Sequence, residues 1–397
     1  MLTDRQRDLI KATVPLLESG GEALTTHFYQ GMFARYPQVK TLFNQTHQAA
    51  GTQPRALANS VLMYARNIDR LENLGPLAAQ IVNKHVALQI LPEHYPIVGE
   101  CLLRAMREVL GAEIATDEVI DAWGAAYQQL ADILIGAEAQ VYDALAAAPG
   151  GWRGGRAFRV ARKQVESREI TSFYLVPVDG GAVLRHQPGQ YIGLRLNVDG
   201  QDLRRNYSLS AAADGRGLRI SVKREPGGVA SGFLHERVHE GDELEVFPPA
   251  GEFVLREGDG PVAFVSGGVG ITPTLAMAEV ALQAGRPVTF IHYARNAQVH
   301  AFGEQLRQWR ERFPQLKAWV VYEDGQPEGA EPATPPDALG RPTREQLQAW
   351  LPDTDTLHAY VLGPKPFMAQ VKRDLRALGV ADARSHHEFF GPAEALA

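Results

Sequence analysis

Two side chains in the first 147 residues have the chemistry to present one metal ligand, a histidine and the acceptor that would orient it. His85 lies in Gln80-Ile81-Val82-Asn83-Lys84-His85-Val86-Ala87-Leu88, with Ile81 four residues before it and Leu88 three after. On a helix that spacing puts the imidazole on an apolar face. A haem iron takes one neutral imidazole from such a wall, although a hydrogen-bonded core histidine leaves the same pattern. Glu138 bears on the choice. It interrupts the stripe Trp123, Tyr127, Leu130, Leu134, Glu138, Val141, Leu145. A buried carboxylate needs a donor, and the second ring N–H of a metal-ligating histidine needs an acceptor. A frayed, solvated helix end is the alternative. Tyr29 and Gln53 stand beside apolar stripes and could donate to a diatomic ligand; equally, they fit a core tyrosine and a neighbour of a helix cap.

A second group of motifs belongs to dinucleotide chemistry. Arg205-Asn206-Tyr207-Ser208 reads as the start of a strand, with Tyr191 in Pro188-Gly189-Gln190-Tyr191 upstream. Gly227-Gly228-Val229-Ala230-Ser231 precedes the apolar turn Phe233-Leu234. Glycines opening a helix leave backbone N–H groups for a pyrophosphate, and a plain hairpin turn would look alike. Ser266-Gly267-Gly268-Val269-Gly270-Ile271-Thr272-Pro273 has the firmer context, an apolar strand before it and a helix after. Pro273 stands where a third glycine would complete the usual fingerprint.

These motifs need a scaffold of several domains, and 397 residues supply it. Residues 1–147 carry helical periodicity, with Leu24, Phe28, Met32 and Tyr36 every four residues and Tyr29 and Phe33 beside them. A capping box at Thr3 and Gln6 opens the first helix. Another helix is expected to start at Pro54, a favoured first position, and the last to run from about residue 121 to 147. Pro149-Gly150-Gly151 then breaks the pattern. Short strand-like runs at 170–176, 190–196 and 218–223 predict a small antiparallel barrel or sandwich. From residue 261, apolar strands at 262–266, 288–292, 318–322 and 359–362 alternate with helices from Pro273 and over 302–312, which predicts a parallel α/β sheet. Residues 323–341 read as a surface loop. The expected organisation is an all-α domain over 1–147, a β-barrel over 152–257 and an α/β domain over 258–397.

Composition removes several classes of function. A formal net charge of −6 leaves no basic field for nucleic acid. The single cysteine, Cys101, excludes an internal disulfide and a four-thiolate iron–sulfur cluster. The N-terminus lacks the apolar core of a signal peptide and no later stretch is long and apolar enough to span a bilayer. A cytoplasmic monomer without membrane insertion is the expectation.

Phe28-Tyr29, Tyr36-Pro37, Leu42-Phe43, Gln53 with Leu57, Lys84-His85, Pro92-Glu93-His94-Tyr95 and Glu138 together resemble the globin domain of bacterial and yeast flavohaemoglobins. The Arg-x-Tyr-Ser and Gly-x-Gly-x-Thr-Pro patterns resemble ferredoxin-reductase-like flavoenzymes, as do Gly363-Pro364 with Phe367-Met368, and Glu388 with Phe390-Gly391-Pro392. The likeness spans residues 2–392. It implies haem b on His85, with Tyr95 and Glu138 behind the ligand, Tyr29 over bound oxygen, Gln53 and Leu57 lining that pocket, Phe43 on the haem face and Lys84 tuning potential. For FAD it implies Arg205 on a phosphate, Tyr207 and Tyr191 against the ring, Asn206 beside them, and Ser208 near N5. Gly228 and Ser231 fall at the pyrophosphate. Gly268, Val269, Gly270, Ile271, Thr272 and Pro273 take NAD(P)H, and Glu388, Phe389, Phe390, Gly391 and Pro392 form the segment near the flavin. Leu362 and Phe389 stand where relatives have cysteine, and either Phe389 or Phe390 could shield the flavin. The implied activity is an NAD(P)H-dependent nitric oxide dioxygenase serving nitric oxide detoxification, with O2 and NO as small-molecule partners. A haem-dependent lipid hydroperoxide reductase, or an oxygen- or lipid-binding globin with a fatty acyl chain in its pocket, are the rivals. The segment His292-Tyr293-Ala294-Arg295 leaves NADH against NADPH open.

Overall fold

Thr3 and Gln6 form the expected capping box in the computed structural model, which describes residues 2–43, 51–324 and 335–390. The chain divides into two compact units, one built mainly on Met1–Ala147 and the other mainly on Ala148–Val198 with Asn206–Phe390.

The first unit is helical: α1 (Asp4–Ala12), α2 (Val14–Arg35), α3 (Thr52–Arg66), α4 (Gly75–Leu88), α5 (His94–Leu110) and α6 (Asp117–Ala147). Leu24, Phe28 and Met32 bury on one face of α2 against Ile10, Leu102 and Met106. Tyr36 leaves that stripe, because α2 ends at Arg35 and the Tyr36 hydroxyl donates instead to Glu100 Oε2 at 2.6 Å. Helix α3 starts earlier than its proline suggests. Gly51 caps it with φ 70°, so Pro54 is the third helical residue and its carbonyl accepts a 2.8 Å bond from buried Thr25. Any of the first helical positions spares a proline, since their N–H groups have no intrahelical partner. Helix α6 begins at Asp117, four residues before the apolar pattern, with Asp117 and Glu118 complementing the dipole of its first turn.

Residues 156–387 form two six-stranded sheets. Strands β1 (Arg156–Val165), β2 (Ile170–Pro177), β3 (Tyr191–Val198), β4 (Gln201–Ser208), β5 (Leu218–Lys223) and β6 (Glu243–Val246) lie in the order β4-β3-β6-β1-β2-β5. Leu209, just after β4, bridges Ile220 of β5, so the two edges meet and the sheet curls into the expected barrel. Helix α7 (Val229–Glu236) spans the β5–β6 connection. Arg205-Asn206-Tyr207-Ser208 forms the end of β4, not the start of a strand.

The other sheet is parallel: β7 (Val262–Gly267), β8 (Val288–Ala294), β9 (Leu316–Tyr322), β10 (Ala338–Leu339), β11 (His358–Leu362) and β12 (Ser385–His387), ordered β10-β9-β8-β7-β11-β12. Helices α8 (Ile271–Gln283), α9 (Gly303–Arg312), α10 (Arg344–Trp350) and α11 (Lys365–Ala377) connect its strands. Helix α8 begins two residues before Pro273. The stretch read as a loop over 323–341 contains β10, paired with Val321 and Tyr322; residues 325–334 lie outside the described ones. The chain runs outward from β7 to β10, then returns to its other side with β11. That reversal is a topological switch point, and the crevice beyond the carboxyl ends of such strands is where open α/β sheets bind ligands. Among the described residues no helix is long and apolar enough to cross a membrane.

Candidate functional site

Glu138 is buried to 2% exposure on α6. Its Oε1 lies 2.7 Å from His85 Nδ1 on α4 and accepts a 2.6 Å bond from the Tyr95 hydroxyl on α5. A carboxylate only accepts, so Nδ1 must carry the ring proton and Nε2 keeps its lone pair. Nδ1 also lies 3.1 Å from the Tyr95 oxygen. Burial, then the Glu138 carboxylate, pushes the Tyr95 phenol far up, so it stays a donor. The frayed-end alternative for Glu138 is thereby removed.

Tyr127, which the sequence placed in the apolar stripe, and Tyr142, which it did not single out, complete the mount. Tyr127 donates to the Tyr95 main-chain carbonyl at 2.6 Å, and Tyr142 to the Ile90 carbonyl at 2.9 Å. Gly99 makes room for the first, since a Cβ there would stand 2.6 Å from the Tyr127 ring. Tyr142 sits four residues beyond Glu138 on the same helix face, a signal available in the sequence.

Whether haem fits can be judged from the donor set. Among the described residues no group of three or more His, Cys, Asp or Glu could hold a metal ion. A lone oriented imidazole is what a metal already held by a macrocycle requires. Leu57 and Val61 on α3 and Ile81 and Leu88 on α4 remain half-buried, an apolar surface that a flat apolar group would cover. Tyr29 is buried in the same core as Leu57, its ring 4.8 Å from Phe28, 5.7 Å from Phe33 and 5.5 Å from Phe43. Gln53 is half-buried one turn before Leu57, and Lys84 is half-buried beside His85. These residues fit the group.

In the barrel, Tyr191 is buried against Gly251, whose φ is +112° and where a Cβ would lie 2.8 Å from the ring. Burial raises its phenol, with the Glu388 and Glu252 carboxylates adding to the effect, which places Glu388 near this tyrosine. Tyr207 and Ser208 are half-buried on opposite faces of β4. Helix α7 begins at Gly228 with no side-chain cap. The Ser231 hydroxyl accepts from Glu225 N at 3.1 Å and lies 3.4 Å from the Gly228 carbonyl, so it holds the glycine turn. At the other end of α7, Lys163 Nζ donates to the carbonyls of Leu234, His235 and Val238 at 3.2, 2.6 and 2.7 Å. No sequence signal marked that lysine. An uncapped N-terminus behind a glycine turn suits a pyrophosphate. Phe389 packs inward, 5.6 Å from the His387 ring, whereas Phe390 is 50% exposed. Gly391 and Pro392 lie outside the described residues.

The two glycine turns converge at the switch point. A Cβ on Gly270 would stand 2.6 Å from the Leu362 carbonyl oxygen, and one on Gly363 would stand 2.7 Å from the Phe367 ring. Gly268 has φ +56°. Thr272 Oγ1 donates to the Val269 carbonyl at 3.0 Å, and Pro273 is the third residue of α8, with Ile271 fully buried. Beneath the turn, Ser266 Oγ lies 2.9 Å from His292 Nδ1. Burial, then His300, holds His292 well below the usual histidine range. The bare backbone of the turn fits a dinucleotide.

Comparison with known proteins follows the same division. Residues 26–134 match the Globin family, 157–255 the Oxidoreductase FAD-binding domain and 264–373 the Oxidoreductase NAD-binding domain. The chain shares its fold with a flavohemoglobin from Malassezia yamatoensis, at 24% identity and TM-score 0.84 over 98% of this chain and all of that one. It is 39% identical to the FAD/NAD-binding domain of a nitric oxide dioxygenase from Vibrio cholerae, which covers 60% of this chain and all of that one at TM-score 0.55. A flavohemoprotein from Pseudomonas aeruginosa is 63% identical over the full length of both chains. The matched domains give the cofactors as haem, FAD and NAD(P)H and the chemistry as NAD(P)H-dependent oxidoreduction. A mounted imidazole, a flavin barrel and a dinucleotide switch point in one polypeptide have one explanation: the chain belongs to the flavohemoprotein family.

Proposed function

We propose that the protein is a nitric oxide dioxygenase, converting NO and O2 to nitrate with electrons drawn from NAD(P)H through FAD to haem. The observation that carries this is the buried Glu138 carboxylate on His85 Nδ1. Bound haem would supply the redox-active iron, and FAD and NAD(P)H the reducing equivalents. His85 presents Nε2 as the ligand. Glu138 fixes its tautomer and makes it more electron-rich, which suits oxygen activation better than reversible carriage. Tyr95 holds the carboxylate in place. Tyr29 would serve as a donor on the opposite side, with Gln53 and Leu57 lining it, Phe43 would pack against the haem and Lys84 would adjust its potential.

In the reductase, Arg205 would hold a flavin phosphate, and Tyr191 and Tyr207, with Asn206 alongside, would hold the ring. Ser208 would serve the reactive edge of the ring, and the Gly228 turn held by Ser231 would receive the pyrophosphate. Gly268–Gly270 and the head of α8, from Ile271 through Thr272 to Pro273, admit the nicotinamide dinucleotide. Glu388 and the exposed Phe390 would close the flavin side, with Phe389 packed behind. The domains assigned to these tasks are 1–147, 152–257 and 258–397.

The test is nitric oxide consumption followed with an electrode on haem- and FAD-loaded protein, omitting NADH and oxygen in turn. Fast consumption requiring both, with nitrate as product, supports the proposal. Slow or oxygen-independent consumption despite haem reduction by NADH would overturn it in favour of a peroxide reductase.

A further inference from the structure

Arg295 is the first residue beyond β8, the second strand of the parallel sheet. In doubly wound dinucleotide folds the group that reads the ribose 2′ position stands about 20 residues beyond the first glycine turn: an acid for a free hydroxyl, an arginine for a 2′-phosphate. By position Arg295 would favour NADPH. Its guanidinium is not left to do so. Nη2 forms an ion pair with Oε1 of Glu169, from the turn between β1 and β2 of the barrel.

Both ends of that pair have a fixed main chain. The Ser167 hydroxyl accepts from Glu169 N at 3.3 Å and Ile170 N at 3.2 Å, while the Glu169 carbonyl accepts from Arg224 N at 2.8 Å. The Arg295 carbonyl accepts from Asp324 N at 2.8 Å. The same barrel turn is fastened to the segment beyond Arg295, where Arg168 N donates to the Gln298 carbonyl at 2.9 Å and Arg168 Nη1 to Gln298 Oε1 at 3.2 Å. Glu169 has a 28% exposed side chain and Arg295 a 55% exposed one, so the arginine keeps an open side that a ribose could approach.

We infer that Glu169 sets the choice of nicotinamide cofactor. It neutralises Arg295 and adds its own negative charge where a 2′-phosphate would sit, which selects NADH. A 2′-phosphate must break the ion pair and approach a carboxylate, whereas a free 2′-hydroxyl can accept from Arg295 or donate to Glu169 without displacing either. This rests on the switch point being the dinucleotide site.

The experiment is calorimetric titration of the haem- and FAD-loaded full chain with ADP-ribose and with its 2′-phosphate. Glu169→Gln keeps the shape of the side chain. It is expected to tighten the 2′-phosphorylated ligand about tenfold, roughly 1.4 kcal/mol, and to leave ADP-ribose within twofold. In turnover the same variant should lower KM for NADPH with kcat unchanged. Arg295→Gln should cancel the gain in the double variant. An unchanged ratio of the two affinities in Glu169→Gln would overturn the inference alone. Failure of the unsubstituted protein to bind ADP-ribose would remove the dinucleotide site itself, and the inference with it.

Discussion

Replacing Glu138 with glutamine keeps its volume and removes its charge. Both hydrogen bonds end on one oxygen, 2.7 Å from His85 Nδ1 and 2.6 Å from the Tyr95 hydroxyl, at a residue only 2% exposed. A hydrogen bond to an ionised group contributes about 1.5–3 kcal/mol and a neutral one about 0.5–1.5 kcal/mol. Losing the charge from two such bonds weakens the mount by roughly 2–3 kcal/mol. Independently, removing the acceptor behind a metal-binding histidine typically costs 10–100-fold in affinity or activity, about 1.4–2.7 kcal/mol. The two figures agree.

The assay is haem transfer from the loaded protein to excess apomyoglobin, alongside the iron–histidine stretch of the ferrous form by resonance Raman. Glu138→Gln should speed haem loss 10–100-fold and lower the stretching frequency. Tyr95→Phe separates electronic from structural roles. With its hydroxyl gone, the carboxylate has only the imidazole N–H to draw on, so the frequency should hold or rise while stability falls by about 1–3 kcal/mol. If both variants moved the frequency the same way, or Glu138→Gln left it unmoved, the reasoning fails.

Other perturbations read the remaining parts. His85→Ala should abolish haem retention yet spare NADH oxidation with an artificial acceptor; a haem-replete variant would contradict the ligand assignment. Gly270→Ala brings a Cβ to 2.6 Å from the Leu362 carbonyl, a backbone atom with little freedom. Overpacking of about 1–3 kcal/mol should lower Tm and raise KM for NADH with flavin and haem contents intact. His292 is held neutral by burial and His300 is lowered to about 4 by burial and Arg310. Above pH 6.5 both chain states hold them neutral; below it only the unfolded chain takes up protons, until His300 follows near pH 4. Stability therefore falls with acidity, at a limit of about 1.4 kcal/mol per pH unit for each histidine, and urea titrations at pH 7.5, 6 and 5 should show that slope flattened in His300→Gln. Lys163→Met strips the ammonium from three carbonyls and should weaken FAD binding, measured by flavin release in urea.

What the sequence made legible was local. The Thr3–Gln6 capping box and the glycine turns need only neighbours within a few residues, and each formed where its spacing placed it. The His85–Glu138 pair was visible at long range because a carboxylate breached an apolar stripe. Tyr127 and Tyr142 breach nothing, since a phenol ring counts as apolar until its hydroxyl finds a carbonyl. Strand β4 was misplaced for a related reason. From Gln201 to Asn206 all its residues but Leu203 are polar and none is buried, so no alternation announced it, and its start is set by the turn Asp199-Gly200, both with positive φ as a two-residue hairpin requires.

Lys163 is the instructive omission. A lysine in a strand reads as solvated, and its carbonyl partners lie 71 to 75 residues away. Only the fold shows that α7 ends on an ammonium and begins on a glycine turn without a cap. The helix dipole favours an anion at the first end and a cation at the second. A cation fixed at the carbonyl end satisfies the last turn and holds it against fraying, and in a helix of 8 residues the last turn is half the element. The N-terminal N–H groups, where the pyrophosphate is proposed to sit, are thus kept in register by a side chain at the opposite end of the helix. Weakened flavin binding in Lys163→Met, with the barrel still folded, would follow from that and not from the loss of a contact to the cofactor.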